Sequence, residues 1–198
     1  MIKLHLEARN DEKSATADAT VIMKVFDRRF ATQLQKDEKL QPWTAIIQKD
    51  YHHLFLVALN NDGDVAKQDE PWNKVQEEAY LHDHLLDLYK TELMVYNLLK
   101  DLQGKDIPGL FATVLIPGTD TDILEPVTQG FPGILSKHIE GFPLTNIAHH
   151  APKETWQSIC DEAIRILHLL GDRGILNEDV KTRSFIVNLD SEQPKNSK

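Results

Sequence analysis

Apolar and polar positions near the start of the chain alternate with a period of two. "IKLHLEA" places Ile2, Leu4 and Leu6 on one face, and "ATVIMKVF" is a β-rich run ending at Phe26. Alternation of this kind predicts two strands, with the polar "RNDEKSATAD" as their hairpin connection. "DRRF" then breaks the pattern with three charges. In "PWTAIIQKDYHHLFLVAL" the period lengthens, and Trp43, Ile47, Tyr51, Leu54, Phe55 and Ala58 fall on one helical stripe that "NNDGD" ends. Residues 72–102 contain no Gly or Pro and carry Val75, Ala79, Leu85, Leu86, Tyr89, Leu93, Tyr96 and Leu99, which predicts one long helix stopped by Gly104. "GLFATVLIPG" and "GILSKHIEG" read as two short strands bounded by Gly and Pro. From Pro152, suited to a first helical position, to Leu170 the spacing of Ile159, Ala163, Ile166, Leu167 and Leu170 is helical again. A charged loop leads into the strand "SFIVN", and the tail "LDSEQPKNSK" is polar. Strands, helices, two strands, a helix and a final loop-strand make an α+β pattern: a small sheet carrying a helix, then a mostly helical half.

Composition narrows the classes. The chain has 198 residues, 41% hydrophobic and 27% charged, which suits one ordinary or small two-lobed domain with a real core and excludes wholesale disorder. A formal net charge of -9 speaks against a nucleic-acid-binding surface, which needs a clustered basic field. The single cysteine, Cys160, has no partner for an internal disulfide and fits a reducing compartment. The N-terminus lacks the features of a signal peptide, and no run approaches the ~18 apolar residues that span a bilayer. These features predict a soluble protein of the cytoplasm or nucleus, without membrane or nucleic-acid partners.

The stretch with the most chemistry is "GILNEDVKTRSFIVN", residues 174–188. Asn177, Glu178, Asp179, Lys181, Arg183 and Ser184 are crowded between two apolar runs. A plain turn would use Gly, Pro or Asn, and an exposed helix would spread its charges at i, i+4 spacing. A polar loop gripped by a core is a common place for binding and catalysis.

With the element order, that loop resembles the protein kinase-like fold: a small antiparallel-sheet lobe with a long helix, joined to a helical large lobe. "GILNEDVKTRS" is similar to the catalytic-loop pattern H-R-D-L-x-x-x-N. The resemblance implies that Asp179 accepts the proton of a substrate hydroxyl and that Lys181 steadies the transferred phosphate. Ser184 stands where kinases carry a magnesium-binding Asn. "TVIMKVF" resembles the strand whose Lys meets the α/β-phosphates, which makes Lys24 that residue. "TELMVYNLL" resembles the helix that supplies its carboxylate partner, which makes Glu92 the partner and Glu78 the fallback. "ILSKHIEGFPL" resembles the strand and hinge over the adenine, with Ser136 in the gatekeeper place and backbone groups of Lys137 and Ile139 on the base. More narrowly, "VFDRRFATQLQKDEKLQPW", "LQGKDIPGLF", "IEGFPLTNIAHHAP" and "DRGILNEDVKTRSFIV" resemble a group of kinase-like proteins from filamentous fungi.

The implied organisation is a small lobe over residues 1–138, with a helical insertion at about 28–72, and a hinge plus the start of the large lobe over 139–198. The implied cofactors are ATP and Mg2+, and the implied partners are an adenine nucleotide and a protein partner or substrate. Two departures stand out. No G-x-G-x-x-G precedes Lys24, and no D-F-G-like strand follows Val187, so the resemblance implies a truncated domain. The expected function is an ATP-dependent phosphotransferase fold, incomplete or inactive as this chain. Its alternative is a non-catalytic kinase-like binding module.

Plainer readings stand beside these. Lys24 at a strand end suits a snorkelling edge lysine. Glu92 suits a solvated helix face, and Asp179, Lys181 and Arg183 suit a surface ion-pair cluster. The pairs His52-His53 and His149-His150 point apart on a helix, and no H-E-x-x-H accompanies them or the spaced His82 and His84, which speaks against zinc. "LQGKD" lacks the rest of a P-loop.

Overall fold

The computed structural model describes residues 2–6, 19–47, 49–51, 73–117, 130–176 and 180–188. The expected hairpin connection at 7–18, the second half of the first predicted helix, Asn177, Glu178, Asp179 and the polar tail lie outside the described residues. The architecture is α+β, with a small antiparallel sheet and one long helix.

Strands β1 (Ile2–Leu6), β2 (Ala19–Val25), β3 (Leu110–Ile116) and β4 (Phe131–Lys137) form a four-stranded sheet in the order β1-β2-β4-β3. Val21 on β2 and Ile134 on β4 are among the most buried side chains, as befits the two interior strands. Behind β2 the chain enters a 3-10 turn, Arg28–Phe30, and then helix α1, Thr32–Asp37. Helical residues 45–47 and 49–51 follow, within the stripe read from the sequence.

Helix α2 spans Lys74–Leu98, inside the predicted 72–102. Its start is a reciprocal cap: Asn73 Oδ1 accepts the N–H groups of Val75 and Gln76 at 3.0 Å each, while Gln76 Oε1 accepts the Asn73 N–H at 2.9 Å. The chain then turns through Leu99 and Leu102, both buried, to Gly104 at φ 76°. That positive φ suits glycine, but α2 has already ended at Leu98, ahead of the expected stop.

Helix α3 is a single turn, Ile147–His150, and α4 runs Trp156–Asp172. Pro152 does not open α4 directly; a 3-10 turn, Lys153–Thr155, comes between them. The predicted strand "GILSKHIEG" is two pieces. β4 stops at Lys137, and a separate strand β5, Gly141–Pro143, pairs antiparallel with β6, Ile186–Asn188.

The described residues fall into two compact units. One comprises Met23–Met94 with Ala112–Leu135, and the other Ile2–Ile22, Val95–Phe111 and Ser136–Lys198. Among the described residues no helix is long and apolar enough to cross a membrane.

Candidate functional site

Within the first unit, three alternating residues at the end of β2 and just beyond it meet α2 in sequence. Lys24 Nζ is hydrogen-bonded to Glu92 Oε2. Phe26 packs edge-on against Tyr89, with ring centroids 5.4 Å apart. Arg28 Nε donates to Glu78 Oε2 at 2.8 Å. On a helix, 78, 89 and 92 are separated by close to whole turns, so the three partners share one face. The Lys24 ammonium also stands 5.0 Å from the Phe26 ring centroid. Of the two carboxylates expected as partners for Lys24, Glu92 takes that place and Glu78 serves Arg28.

The two ion pairs differ in surroundings. Lys24 and Glu92 are 48% and 29% exposed, so their pair is solvent-screened and worth little as stability. Arg28 and Glu78 are 5% and 3% exposed. Sequence reading missed the Arg28 pair, because "DRRF" looks like a surface break. Its one signal is three charges set straight after an apolar strand, without Gly, Pro or Asn to make a turn.

Neighbouring groups hold Arg28. Its carbonyl accepts from Gln35 Nε2 at 3.1 Å, and its guanidinium stacks over the Tyr51 ring at 4.7 Å. Asp27 is occupied by Arg29, through the Arg29 backbone N–H at 3.0 Å and guanidinium bonds of 2.7 to 3.0 Å. Arg29 in turn lies 4.3 Å from the Phe131 ring centroid. Burial pushes the Glu78 carboxyl up and, more weakly, Arg28 pulls it down; burial also raises the Tyr51 hydroxyl.

Burial, and then the Arg28 charge, push the His82 imidazole below its ordinary 6.5. The folded protein therefore prefers His82 neutral. Its contribution to stability is complete above about 6.5 and is lost as pH falls through the lower folded value. The expected result is a thermal midpoint that falls, relative to a variant without the imidazole, as pH drops below about 6.5, at most about 1.4 kcal/mol per pH unit for one proton. A His82→Gln variant should flatten that part of the profile; an unchanged profile would clear His82 of the role.

The second unit carries the residues expected as hinge and loop. The N–H of Lys137 donates to the Gly109 carbonyl at 2.8 Å, and that of His138 to the Thr20 carbonyl at 3.1 Å. Neither bond uses the Ile139 N–H. Ser136 is partly buried at the end of β4. The loop ahead of β6 is gripped by β5. Gly141, Phe142 and Pro143 face Asn188, Val187 and Ile186, Leu144 N–H donates to the Phe185 carbonyl at 2.9 Å, and the Thr145 and Thr182 hydroxyls lie 2.8 Å apart. Phe142 is buried and stacks on His150. Lys181 begins, and Ser184 ends, a 3-10 turn closed by Ser184 N–H to the Lys181 carbonyl at 2.9 Å. Both side chains are exposed. Asp179 lies outside the described residues.

No protein-family model, curated protein or solved structure matches this chain.

Two arginine clusters brace the second unit near the loop. Arg173 makes paired bonds to Asp101 at 3.0 and 2.7 Å, which hold the Asp101 carboxyl down at about 2. Arg165 binds Glu162 at 2.9 and 2.7 Å and also reaches Asp106. These pairs tie α4 to the turn that follows α2. Among the described residues no group of three His, Cys, Asp or Glu is placed to hold a metal. Ser184 offers one neutral oxygen, a donor set that does not by itself fit Mg2+.

Proposed function

We propose that the chain is a protein kinase-like module that binds an adenine nucleotide. The observation that supports this reading is the Lys24–Glu92 pair, which joins a β-strand lysine to the long helix. A lysine whose ammonium is held by a carboxylate is oriented to meet phosphate oxygens, as a point charge with three donors. In this reading Lys24 takes the α/β-phosphates and Glu92 orients it. Backbone groups of Lys137 and Ile139 take the base beside Ser136. Asp179 receives the proton of an acceptor hydroxyl, and Lys181 neutralises charge on the phosphate in flight.

Whether phosphate is transferred separates two forms of the reading. A phosphotransferase needs the γ-phosphate fixed opposite Asp179, since positioning and charge neutralisation supply most of the rate. The non-catalytic form, a nucleotide-binding or interaction module, is favoured by the absence of any Gly among residues 1–23 ahead of Lys24.

Calorimetric titration with MgATP should give binding in the high micromolar range or weaker. Lys24→Ala should weaken it roughly ten- to a hundred-fold, the loss of one charge-assisted contact. Tight binding indifferent to Lys24→Ala would remove the nucleotide reading. A radiolabelled-ATP assay of the chain beside Asp179→Asn then separates the forms. Turnover abolished in the variant marks a phosphotransferase, and silence from both marks a binding module.

A further inference from the structure

Helix α2 has apolar residues on all sides. Leu88, Met94 and Leu98 are exposed, while Glu78 shares the buried face with Leu81. Burial of apolar surface therefore discriminates weakly between rotational settings of this helix, because a turned helix would bury a similar apolar area. Something else must choose the face. The buried polar contact on that face is Arg28–Glu78, and a buried charge tolerates only the setting that returns its partner.

Glu78 lies fourteen residues before Glu92, about 21 Å along the axis and nearly in line with it. Arg28 is held on its own side by the Gln35 amide, the Tyr51 ring and a 3-10 turn whose cap is Asp27. A contact held at 78 and another at 92 fix both the rotation and the axial position of the helix between them. We propose that Arg28 and Glu78 are positioning residues that set the register of α2 and so hold Glu92 opposite Lys24. The geometry stands without nucleotide; only its consequence for phosphate binding rests on the kinase-like reading.

The test is the rate at which an amine-acylating reagent labels Lys24, read by peptide mass spectrometry in the absence of nucleotide. Glu92→Gln defines the released lysine, expected to label roughly two- to five-fold faster than wild type, the range open to a solvent-exposed ion pair. Glu78→Gln, which leaves Glu92 in place, should give at least half that gain. Asp87→Asn, which removes the exposed partner of Lys90 on the same helix, should leave Lys24 unchanged. The double variant Arg28→Met/Glu78→Leu keeps the volume without the charges, and should melt cooperatively while labelling like Glu78→Gln.

Cooperatively folded Glu78→Gln or double variant with wild-type labelling would overturn the proposal. So would failure of both to fold, since the pair would then be a stability element of the whole unit. Full Lys24 protection in a chain that binds no MgATP would leave the proposal standing and remove the nucleotide reading alone.

Discussion

Glu78→Ala is expected to lower stability by about 3–5 kcal/mol, because it leaves the Arg28 guanidinium charged and without its carboxylate in a site almost closed to solvent. The planar face of Arg28 is already taken by Tyr51, and its Nε is directed at Glu78. Loss of this size is a large share of the 5–15 kcal/mol typical of a folded domain. Urea unfolding should show the midpoint shifting down with little change in slope, the signature of lost stability rather than a changed denatured state. Arg28→Met/Glu78→Leu should recover most of the loss, since no charge remains to be desolvated. A fall of under about 1 kcal/mol in Glu78→Ala would mean that water reaches Arg28 and that the pair is not buried in solution.

Gly141→Ala is expected to open the β5–β6 pair and loosen the Lys181–Ser184 turn. A Cβ at Gly141 would stand 2.0 Å from the Val187 carbonyl oxygen and 2.9 Å from its carbon. Both are backbone atoms of the paired strand, so no side-chain rotation relieves the clash. Strain of this kind commonly costs about 1–3 kcal/mol. The informative measurement is hydrogen exchange. The Leu144 amide, bonded to the Phe185 carbonyl, should lose protection while amides of α2 keep theirs. Equal protection at Leu144 in the variant would show that the strands separate without disturbing the loop. Where the nucleotide reading holds, the same variant should weaken any function of Lys181 and Ser184, because β5 is what holds their turn.

Much of the secondary structure is legible in the residues. The long helix follows from a run without Gly or Pro, although it ends at Leu98, ahead of the expected stop at Gly104. The strands holding Val21 and Ile134 follow from β-rich apolar runs. The Lys24–Glu92 pair was expected from the likeness of two short stretches to kinase segments, since neither residue announces a partner 68 positions away by its own spacing. The stretch after β4 was harder. β5 is only three residues long and finds its partner more than forty residues later, so "GILSKHIEG" reads as one strand when taken alone. The reciprocal Asn73–Gln76 cap is a local pattern that the sequence does contain, since the two residues stand three apart at the start of the helical run.

The division between local and tertiary causes has a physical basis. Periods of two and 3.6, and the residues that interrupt them, are properties of neighbouring positions, and they determined where strands and helices lie and that the class is α+β. Which charges go inside is a property of the assembled chain. Asp27, Arg28 and Glu78 are by residue type surface groups, and Leu88, Met94 and Leu98 are by type core groups, yet their places are exchanged. A charge is buried only where distant residues return its hydrogen bonds, and Arg28 finds Glu78 fifty positions on and the Tyr51 ring between them. Only the tertiary structure therefore decided which face of the long helix meets Lys24, because an apolar pattern spread around the whole helix carries no preference for a side.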